Sequence, residues 1–435
     1  MKRFRFLFLL ITFVVITTML FFVFGCSKKK SGGVTDLTFW TFQEVHTQFM
    51  KDAVESWNAQ NPDNQINLTT EVYPYDEMHN KLLISLQSGT GAPDLADIET
   101  SKFPNYLMGK NPSLVPLNSE IEPVKDKLII GRFDMYSKDG NYYAIDYHVG
   151  ACVVYYNKEI LDQAGVDPDK IVTWQDYVEA GKKVVAKTGK PMTTVEVSEH
   201  WTFYPLLIQA GSDIFDKNGD IILDNQKNVE VLTFLKDMIY KDKVAIPAPG
   251  GFHHAEEYWN FMNKGGAASV IMPMWYAGRF VGQMPDLKGK MIVRPMPVWE
   301  KGGDRSCGMG GTGTAVTVQS KNQDLAVKFL AHAKLSREGA IKTWTVLGFD
   351  PIRWDVWDAP EMKNPTPVTE FFIGGDKIFD MLISIKDEIP GTMITEKYPA
   401  AIDLLKKNVC FNVLSTQSQT PKEALKEAAD ELRKM

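Results

Sequence analysis

The stretch from Gly140 to Lys158 constrains the fold most strongly, because it predicts two strands with no helix between them. The first runs from Tyr142 to Ile145. The second, from Ala151 to Tyr156, is almost wholly apolar, which is typical of a strand buried on both faces. Two such strands do not form a βαβ unit. We predict instead that the chain leaves one sheet, crosses a ligand-accessible seam at 146–148 and enters a second sheet, so that this stretch is a hinge.

Size and charge narrow the class of protein. A chain of 435 residues, 44% of them hydrophobic, can bury large cores and should form two domains or one domain with two lobes. A formal net charge of −6 lacks the excess of positive charge that is typical of nucleic-acid-binding proteins. We therefore expect no nucleic-acid partner.

The N-terminus predicts export. Basic residues precede an unbroken apolar run from Phe6 to Phe24, and Gly25, Cys26 and a run of lysines follow it. The small residue before Cys26 resembles a bacterial lipobox, in which the cysteine is lipidated and becomes the mature N-terminus. We predict a signal peptide over 1–25 and a lipid-anchor linker over 26–34. The alternative is an uncleaved signal anchor, since the run is about long enough to span a bilayer.

Three further cysteines, Cys152, Cys307 and Cys410, lie far apart in the sequence. Their odd number and wide spacing exclude a disulfide framework and a zinc ribbon. Cys152 falls in the apolar strand and is expected to be an inert buried thiol. A Cys307–Cys410 bridge is the remaining alternative.

Strands and helices alternate from residue 35 onward, which favours a mainly parallel sheet in an α/β fold. Strands are predicted at 37–40, 66–72 and 93–99, with helices between them. A helix capped by Asp76 follows the second strand, and one capped by Thr173 begins at Trp174. Ligands bind beyond the carboxyl ends of such strands, so segments 40–43 and 98–99 should converge.

Two motif-like strings do not indicate a cofactor or a metal. Segment 308–313 fits G-x-G-x-x-G, yet the dinucleotide fingerprint needs a strand before it and a helix after it, which is the reverse of the order here. His253 and His254 are adjacent and lack the further ligand spacing of a metal site. We expect neither a cofactor nor a metal, and we interpret the glycines as a crossing where the backbone approaches a ligand or the other lobe.

Several ordered motifs resemble those of bacterial extracellular solute-binding proteins that serve sugar ABC importers. They are the tethering signal, the early strand ending in Trp40, segment 91–94, the hinge ending at 155–158, Thr173-Trp174, segment 265–268 before Trp275, and Gly310-Gly311 before 324–329. The resemblance covers roughly residue 35 to the C-terminus. The family's hinge often has proline where Asp146 stands here.

The resemblance implies a two-lobed periplasmic-binding-protein-like fold with hinge strands between the lobes. We place lobe 1 at 35–145 and 309–347, and lobe 2 at 146–308 and 348–435. It also implies a protein that is not an enzyme, is held outside the cytoplasmic membrane by its lipid, closes over a neutral sugar or oligosaccharide, and delivers it to membrane permease subunits. A monomer is expected.

A sugar binder needs aromatic platforms for C–H faces and side chains with paired hydrogen-bonding atoms for hydroxyls. The family resemblance places stacking aromatics at positions matching Trp201 and Trp275. Other candidates at predicted strand ends, or with suitable polar groups or backbone, are Trp40, Gln43, Glu99, Asp146, His148, Glu199, Tyr204, Tyr276 and Gly311. Trp57 and Trp344, at helical spacing, are interpreted as core.

Two other functions stay open from the residues alone. An exported carbohydrate-active enzyme is one, because Glu99, Asp146 and Glu199 offer carboxyl groups that can pair as acid and base. A binder of another solute is the second, because Arg279, Arg294 and Arg353 leave room for a charged ligand. Local phrases such as 73–76 and 146–148 resemble binding proteins for arabinose or arabino-oligosaccharides.

Overall fold

A computed structural model describes residues 33–435, which form two large sheets and two small two-stranded sheets surrounded by helices. The strands are β1 Thr35–Thr41, β2 Ile66–Val72, β3 Leu95–Glu99, β4 Ser137–Lys138, β5 Asn141–Tyr142, β6 Ile145–Asp146, β7 Cys152–Asn157, β8 Thr193–Val195, β9 Ala245–Pro247, β10 Ser269–Pro273, β11 Met291–Pro295 and β12 Thr312–Val316. The predicted signal peptide and Cys26 lie outside the described residues, as does nearly all of the predicted linker.

Helices alternate with the strands. The α-helices are α1 Glu44–Gln60, α2 Tyr75–Ser88, α3 Asn118–Ile121, α4 Gly131–Asp134, α5 Lys158–Ala164, α6 Trp174–Thr188, α7 Phe203–Gln209, α8 Gln226–Tyr240, α9 Glu256–Asn263, α10 Ala277–Gln283, α11 Gln323–Leu335, α12 Arg337–Thr345, α13 Pro367–Phe371, α14 Ile378–Ile383, α15 Tyr398–Leu404 and α16 Pro421–Lys434. A π-helix, Leu405–Ser415, continues α15. Within 33–435, no helix has the length and apolar character needed to cross a membrane.

The first sheet has the strand order β2-β1-β3-β12-β6. β1 runs parallel to β2 and β3, with Thr35 opposite Ile66 and Phe39 opposite Leu95. β12 is antiparallel to β3 and to β6. The predicted parallel arrangement therefore holds for the first three strands, and their carboxyl ends lie at one edge of the sheet.

The second sheet, β10-β7-β11, is antiparallel throughout. All six residues of its central strand β7 are buried. Val153 and Tyr155 contribute to one hydrophobic cluster, whereas Cys152, Val154 and Tyr156 contribute to another. This alternation means that both faces of β7 are covered, as the continuous apolar run predicts.

Segment 147–151 joins the two sheets, which confirms that the chain leaves one sheet and enters another there. A second segment, 307–311, runs beside it, because Cys152 N–H donates to the Cys307 carbonyl at 2.9 Å and Met309 N–H to the Gly150 carbonyl at 3.0 Å. A Cβ at Gly150 would lie 2.2 Å from the Met309 carbonyl oxygen, so the close approach requires glycine. The lobe boundaries remain a prediction, since one hydrophobic cluster contains residues from both sheets.

One strand prediction and one cap prediction are wrong. The predicted strand at 142–145 is divided between β5, which forms a hairpin with β4, and β6, which pairs with β12 in the first sheet. Helix α2 begins at Tyr75 after Pro74 and has no side-chain cap from Asp76. Pro74 is instead the N-cap residue, with a non-helical ψ of 146°, and its carbonyl accepts the N–H of Met78 at 2.8 Å.

Other local predictions are confirmed. Thr173 and Asp176 form a capping box at the start of α6, and Gly189 ends that helix in the left-handed conformation. Trp57 and Trp344 are buried core residues. Cys152, Cys307 and Cys410 are buried free thiols, so the alternative Cys307–Cys410 bridge is absent from the described part of the chain.

Candidate functional site

A cavity of about 410 Å³ lies where strand ends from both sheets meet. Its size falls within the range of small-molecule sites, roughly 300–1,000 Å³. The lining residues are Phe42, Gln43, Val45, His46, Tyr75, Glu99, His148, Glu199, Trp201, Phe252, His254, Trp275, Gly278, Arg279, Gly310, Gly311, Thr312, Leu347 and Phe349.

A different set of strands supplies each wall of the cavity. Gln43 follows β1 and Glu99 ends β3, so the first sheet supplies one wall, as the predicted convergence requires. Trp201 follows β8 and Trp275 follows β10, and these supply the opposite wall. The crossing segments bring His148 and segment 310–312 to the floor between the walls.

Aromatic rings dominate the wall opposite β1 and β3. The Trp201 and Trp275 rings are 5.8 Å apart and meet edge to face at 82°. His254 stacks on Trp275 at 5.5 Å, and Trp275 Nε1 donates to the Met309 carbonyl at 3.2 Å. Trp201 and Trp275 are both half-buried, so each keeps ring surface available to a ligand.

Hydrogen bonds hold the carboxyl group of Glu99 at the end of β3. Its Oε2 accepts hydrogen bonds from the Tyr75 hydroxyl and from Ser101 N–H, each at 2.9 Å. Burial raises the pKa of Glu99 despite these donors. The hydrogen bonds fix the carboxyl group at the cavity wall.

Glu199 faces a different environment across the cavity. Lys406 Nζ lies 3.0 Å from its Oε1, and His200 Nδ1 lies 3.6 Å from its Oε2. Burial acts to raise the pKa of Glu199, but His200 and Lys406 outweigh burial and lower it. Glu199 is therefore a paired carboxylate.

Two imidazole rings line the cavity at or beside the crossing segments. Burial lowers the pKa of His148 to about 3, so that ring is neutral at physiological pH. His46 Nδ1 is 2.7 Å from Asp97 Oδ2, and the His46 ring stacks on Tyr147 with centroids 3.9 Å apart. Asp97 also accepts a hydrogen bond from the Thr41 hydroxyl at 2.7 Å. These contacts set the orientation of His46.

The structure brings together seven of the eleven residues predicted for a ligand site. They are Gln43, Glu99, His148, Glu199, Trp201, Trp275 and Gly311. A Cβ at Gly311 would lie 2.4 Å from Arg132 Nη2 and 2.6 Å from Asp146 Oδ2, and its φ is +147°. Only glycine fits where the chain crosses this floor.

The other four predicted residues do not line the cavity. The Trp40 ring packs against Tyr73 and lies under Lys81 Nζ at 4.3 Å. The Tyr276 ring is fully buried, and its hydroxyl donates to the His253 carbonyl at 2.5 Å. The Trp40 side chain belongs to a hydrophobic core cluster, and so does that of Tyr276, which follows Trp275 in a 3-10 helical turn, so neither ring faces the cavity.

Asp146 and Tyr204 lie close to the cavity without lining it. Asp146 is 1% exposed, and its Oδ2 accepts hydrogen bonds from Arg132 Nη2 at 2.6 Å and from the Tyr136 hydroxyl at 2.9 Å. Tyr204 donates to Asp213 Oδ1 at 2.9 Å and borders a smaller neighbouring cavity. Both make structural hydrogen bonds near the site.

Sequence reasoning missed twelve lining residues. Phe42 lies within the segment predicted to converge, and His254 and Arg279 were weighed only for a metal or a charged ligand. For seven others the only signals were proximity to a strand end or to a quoted motif, namely Val45, His46, Tyr75, Phe252, Gly278, Gly310 and Thr312. The last two, Leu347 and Phe349, had no such signal, because they come from a turn after α12 that is distant in sequence from the predicted site segments.

Arg279 is the one lysine or arginine among the residues that line the cavity. Its side chain has no hydrogen-bonded or ionic partner within 33–435. Its guanidinium carbon lies 5.9 Å from the Trp259 ring. Arg294 and Arg353, by contrast, pair with Asp169 at 2.5 Å and with Asp355 at 2.7 Å. No group of three or more metal-ligating side chains is assembled anywhere in the described part of the chain.

Comparisons with known proteins agree with this architecture. The chain is 53% identical over 398 residues to an arabinooligosaccharide-binding protein of Halalkalibacterium halodurans, covering 92% of this chain and 89% of the relative. It is 51% identical over 427 residues to the protein of the same name from Bacillus subtilis, covering 97% and 98%. The GacH receptor of Streptomyces glaucescens has a similar fold, with a TM-score of 0.73, 21% identity and coverage of 92% and 98%.

The family model described as bacterial extracellular solute-binding protein matches residues 41–338, which is more than half of the chain. That range contains both large sheets except most of β1, and most of the residues that line the cavity. The chain belongs to the bacterial extracellular solute-binding proteins and has their two-lobed, periplasmic-binding-protein-like fold.

Proposed function

We propose that this protein captures an arabino-oligosaccharide between its two lobes and delivers it to the permease of an ABC importer, without catalysing a reaction. The observation that carries the proposal is the cavity of about 410 Å³ bounded by strand ends of both sheets. The sugar class rests on the two relatives above 50% identity, which bear this ligand in their names.

The chemistry of the walls suits a neutral sugar. C–H faces of a pyranose or furanose ring pack on aromatic rings, which Trp201 and Trp275 offer side by side. Hydroxyl groups need partners that accept and donate, and Gln43, Glu99 and Glu199 line the same cavity. We propose the seven predicted lining residues as ligand contacts, and add His46 and Arg279 to them.

Capture follows from ligand contacts to both walls. A ligand shifts the equilibrium toward the closed form only by its difference in affinity between the closed and open forms. Gln43 and Glu99 come from one lobe and Trp201 and Trp275 from the other, so a bridging sugar gains contacts only when the lobes approach each other. The closed, liganded form is then the one that docks on the permease.

A thermal-shift titration of the exported part against arabinose and its oligomers tests the proposal. Binding to the native state raises the melting temperature with ligand concentration. We expect a rise with arabinobiose or longer oligomers and none with maltotriose, amino acids or phosphate esters. The absence of a rise with every arabinose compound would refute the proposed ligand.

A carbohydrate-active enzyme is the second candidate, and the pKa directions of two glutamates favour it. Burial raises the pKa of Glu99, whereas His200 and Lys406 lower the pKa of Glu199. Hydrolases that use an acid and a base separate the pKa values of their two carboxyl groups in this way. Reducing-end analysis of the same arabino-oligosaccharide mixtures separates the candidates. New reducing ends that disappear in Glu99→Gln would establish hydrolysis.

A charged ligand is the alternative that Arg279 keeps open. Its unpaired guanidinium at the cavity wall suits a carboxylate. Arabinotriose and the corresponding aldonic acid, in which the reducing end is oxidised, provide a matched pair of neutral and anionic ligands. Tighter binding of the acid that is lost in Arg279→Gln would show that the natural ligand carries a negative charge.

We also propose that the protein is an exported, lipid-anchored monomer. The apolar run from Phe6 to Phe24 and the lipobox-like Gly25-Cys26 support export and lipidation. Mass spectrometry of protein purified from its native membrane should find a diacylglyceryl group on Cys26. Cys26→Ser should then appear in the soluble fraction, and retention at the membrane would favour an uncleaved anchor instead.

A further inference from the structure

Two neighbouring loops build the part of the aromatic wall that faces Trp275. Strands β8 and β9 run parallel, so their carboxyl ends lie side by side. The loop 196–202 after β8 carries Glu199 and Trp201 to the cavity, and the loop 248–254 after β9 carries Phe252 and His254. How these loops are held relative to each other therefore decides the shape of the wall.

The buried carboxyl group of Glu196 joins the two loops. Its Oε2 accepts the Trp201 N–H at 3.0 Å, and its Oε1 accepts the His253 N–H at 2.8 Å. The side chain of Glu196 has no exposed surface and is not among the residues that line the cavity. Each oxygen thus binds the backbone of a different cavity loop.

Neighbouring groups satisfy the carboxyl group in its neutral form. Burial raises the pKa of Glu196 to about 8 and lowers the pKa of His253 to about 3. His253 Nδ1 has no hydrogen-bond partner within 33–435 and lies 3.4 Å from Glu196 Oε1, while its Nε2 is 3.0 Å from the Thr194 hydroxyl. A protonated Oε1 can donate to this Nδ1 and still accept the His253 N–H.

We propose that Glu196 is a positioning residue of the ligand site, which orients Trp201 toward Trp275 and His254 by holding the backbone amides of Trp201 and His253. Glu196 does not touch the ligand. The inference rests on the proposed function, because the effect of Glu196 on the orientation of Trp201 is measured through the affinity for a sugar.

Glutamine cannot replace Glu196, although it has the same shape. A side-chain amide has one oxygen that accepts and one nitrogen that only donates. Whichever way the amide lies, its nitrogen faces either the Trp201 N–H or the His253 N–H, and that backbone donor loses its acceptor. Glu196→Gln is therefore a sharp test, because it removes one acceptor while keeping the volume.

The first measurement is the dissociation constant for arabinotriose by calorimetry in four proteins: wild type, Glu196→Gln, Trp201→Ala and the double variant. We expect Glu196→Gln to weaken binding about tenfold in the wild-type background and less than about threefold in the Trp201→Ala background. Equal losses in the two backgrounds, or a change below about twofold in the single variant, would overturn the proposal.

The second measurement does not need a ligand. Hydrogen exchange in the ligand-free protein should be about tenfold faster at the Trp201 or His253 amide in Glu196→Gln, because a buried amide has lost its acceptor. Asp176→Asn is the matched control. Its carboxylate accepts the Thr173 N–H at 2.9 Å in the same lobe but far from the cavity, so exchange at Trp201 should not change.

These outcomes separate the two proposals. If wild type fails to bind arabinotriose, the proposed ligand is wrong, and hydrogen exchange alone decides whether Glu196 holds the loops. Unchanged exchange at both amides in Glu196→Gln would overturn the positioning role whatever the ligand. Should Glu196→Gln not fold, Glu196→Asp, which is one methylene shorter and reaches only one amide, is subjected to the same exchange measurement.

Discussion

Asp146→Asn should destabilise the protein strongly, because Asp146 belongs to a buried ion pair. Its Oδ2 is 2.6 Å from Arg132 Nη2, and its Oδ1 accepts the Thr312 N–H at 3.1 Å. Asp146 is 1% exposed and Arg132 is 3% exposed, so water cannot replace the lost charge. An asparagine leaves Arg132 as an uncompensated buried cation.

The expected loss in the free energy of unfolding is about 3–5 kcal/mol, which is the cost of removing one partner from a buried pair. Asp169→Asn is the matched control. Asp169 pairs with Arg294 at 2.5 Å, but its side chain is 64% exposed, so its loss should be about 1 kcal/mol or less. Denaturant unfolding followed by tryptophan fluorescence measures both values.

Acid provides an independent check on the same ion pair. Burial acts to raise the pKa of Asp146, but Arg132 outweighs burial and holds it below its ordinary value. A group with a depressed folded pKa contributes stability at neutral pH that is lost as the pH falls through that pKa. The wild type should therefore lose stability at acid pH that Asp146→Asn does not. Equal unfolding free energies for Asp146→Asn and Asp169→Asn would refute this reasoning.

Three further changes test the cavity and its surroundings. Trp275→Ala should weaken arabinotriose binding by about 2 kcal/mol, roughly thirtyfold, by removing a half-buried aromatic platform, as calorimetry can show; a loss below about threefold would contradict a stacking role. Gly310→Ala places a Cβ 3.1 Å from Trp275 Nε1 and 3.3 Å from Trp201 Cζ3, so affinity should fall, whereas Gly302→Ala, at a similar positive φ with no atom within 4 Å, should leave affinity unchanged. His148→Gln should make the free energy of unfolding less dependent on pH in the acid range. The pKa of His148 is about 3 in the folded protein against an ordinary 6.5, so unfolding takes up a proton between these two values. As the pH falls through this range, the wild type should therefore lose up to about 1.4 kcal/mol per pH unit more than the variant. Identical slopes in urea unfolding at pH 4–6 would contradict that assignment.

The fold was predictable where a single strand carries its own pattern. The apolar run of β7 predicted a strand buried on both faces, and its residues do alternate between two hydrophobic clusters. The missing helix between 145 and 151 predicted the crossing between sheets. The antiparallel second sheet was not predicted, because β7, β10 and β11 are far apart in sequence and only tertiary pairing brings them together.

Candidate site residues were predictable by position but not by side-chain direction. Gln43 and Glu99 follow or end strands and reach the cavity, whereas Trp40 is still within β1 and its ring packs in a core cluster. Trp275 and Tyr276 are adjacent, yet only Trp275 lines the cavity. Sequence indicates that a segment reaches the site, but the final turn of the backbone decides which of its side chains faces the ligand.

The crossing segments link the ligand site to the hinge. Asp350 accepts the N–H groups of Gly150 and Ala151 at 3.2 and 2.8 Å, just as Asp146 accepts that of Thr312, so buried carboxyl groups tie the crossing segments to their neighbours. The same segments carry His148 to the cavity floor.

If the lobes close as proposed, they rotate about the crossing segments, so floor residues lie near the axis of rotation and wall residues lie away from it. A residue near the axis keeps its place when the lobes rotate, so its ligand contacts are nearly equal in the open and closed forms. Equal contacts raise affinity without favouring closure. Glu99 and Trp275, which line opposite walls of the cavity, would approach each other on that rotation. In the proposed mechanism, closure therefore depends on the walls, while the floor supplies affinity that is present before the lobes move.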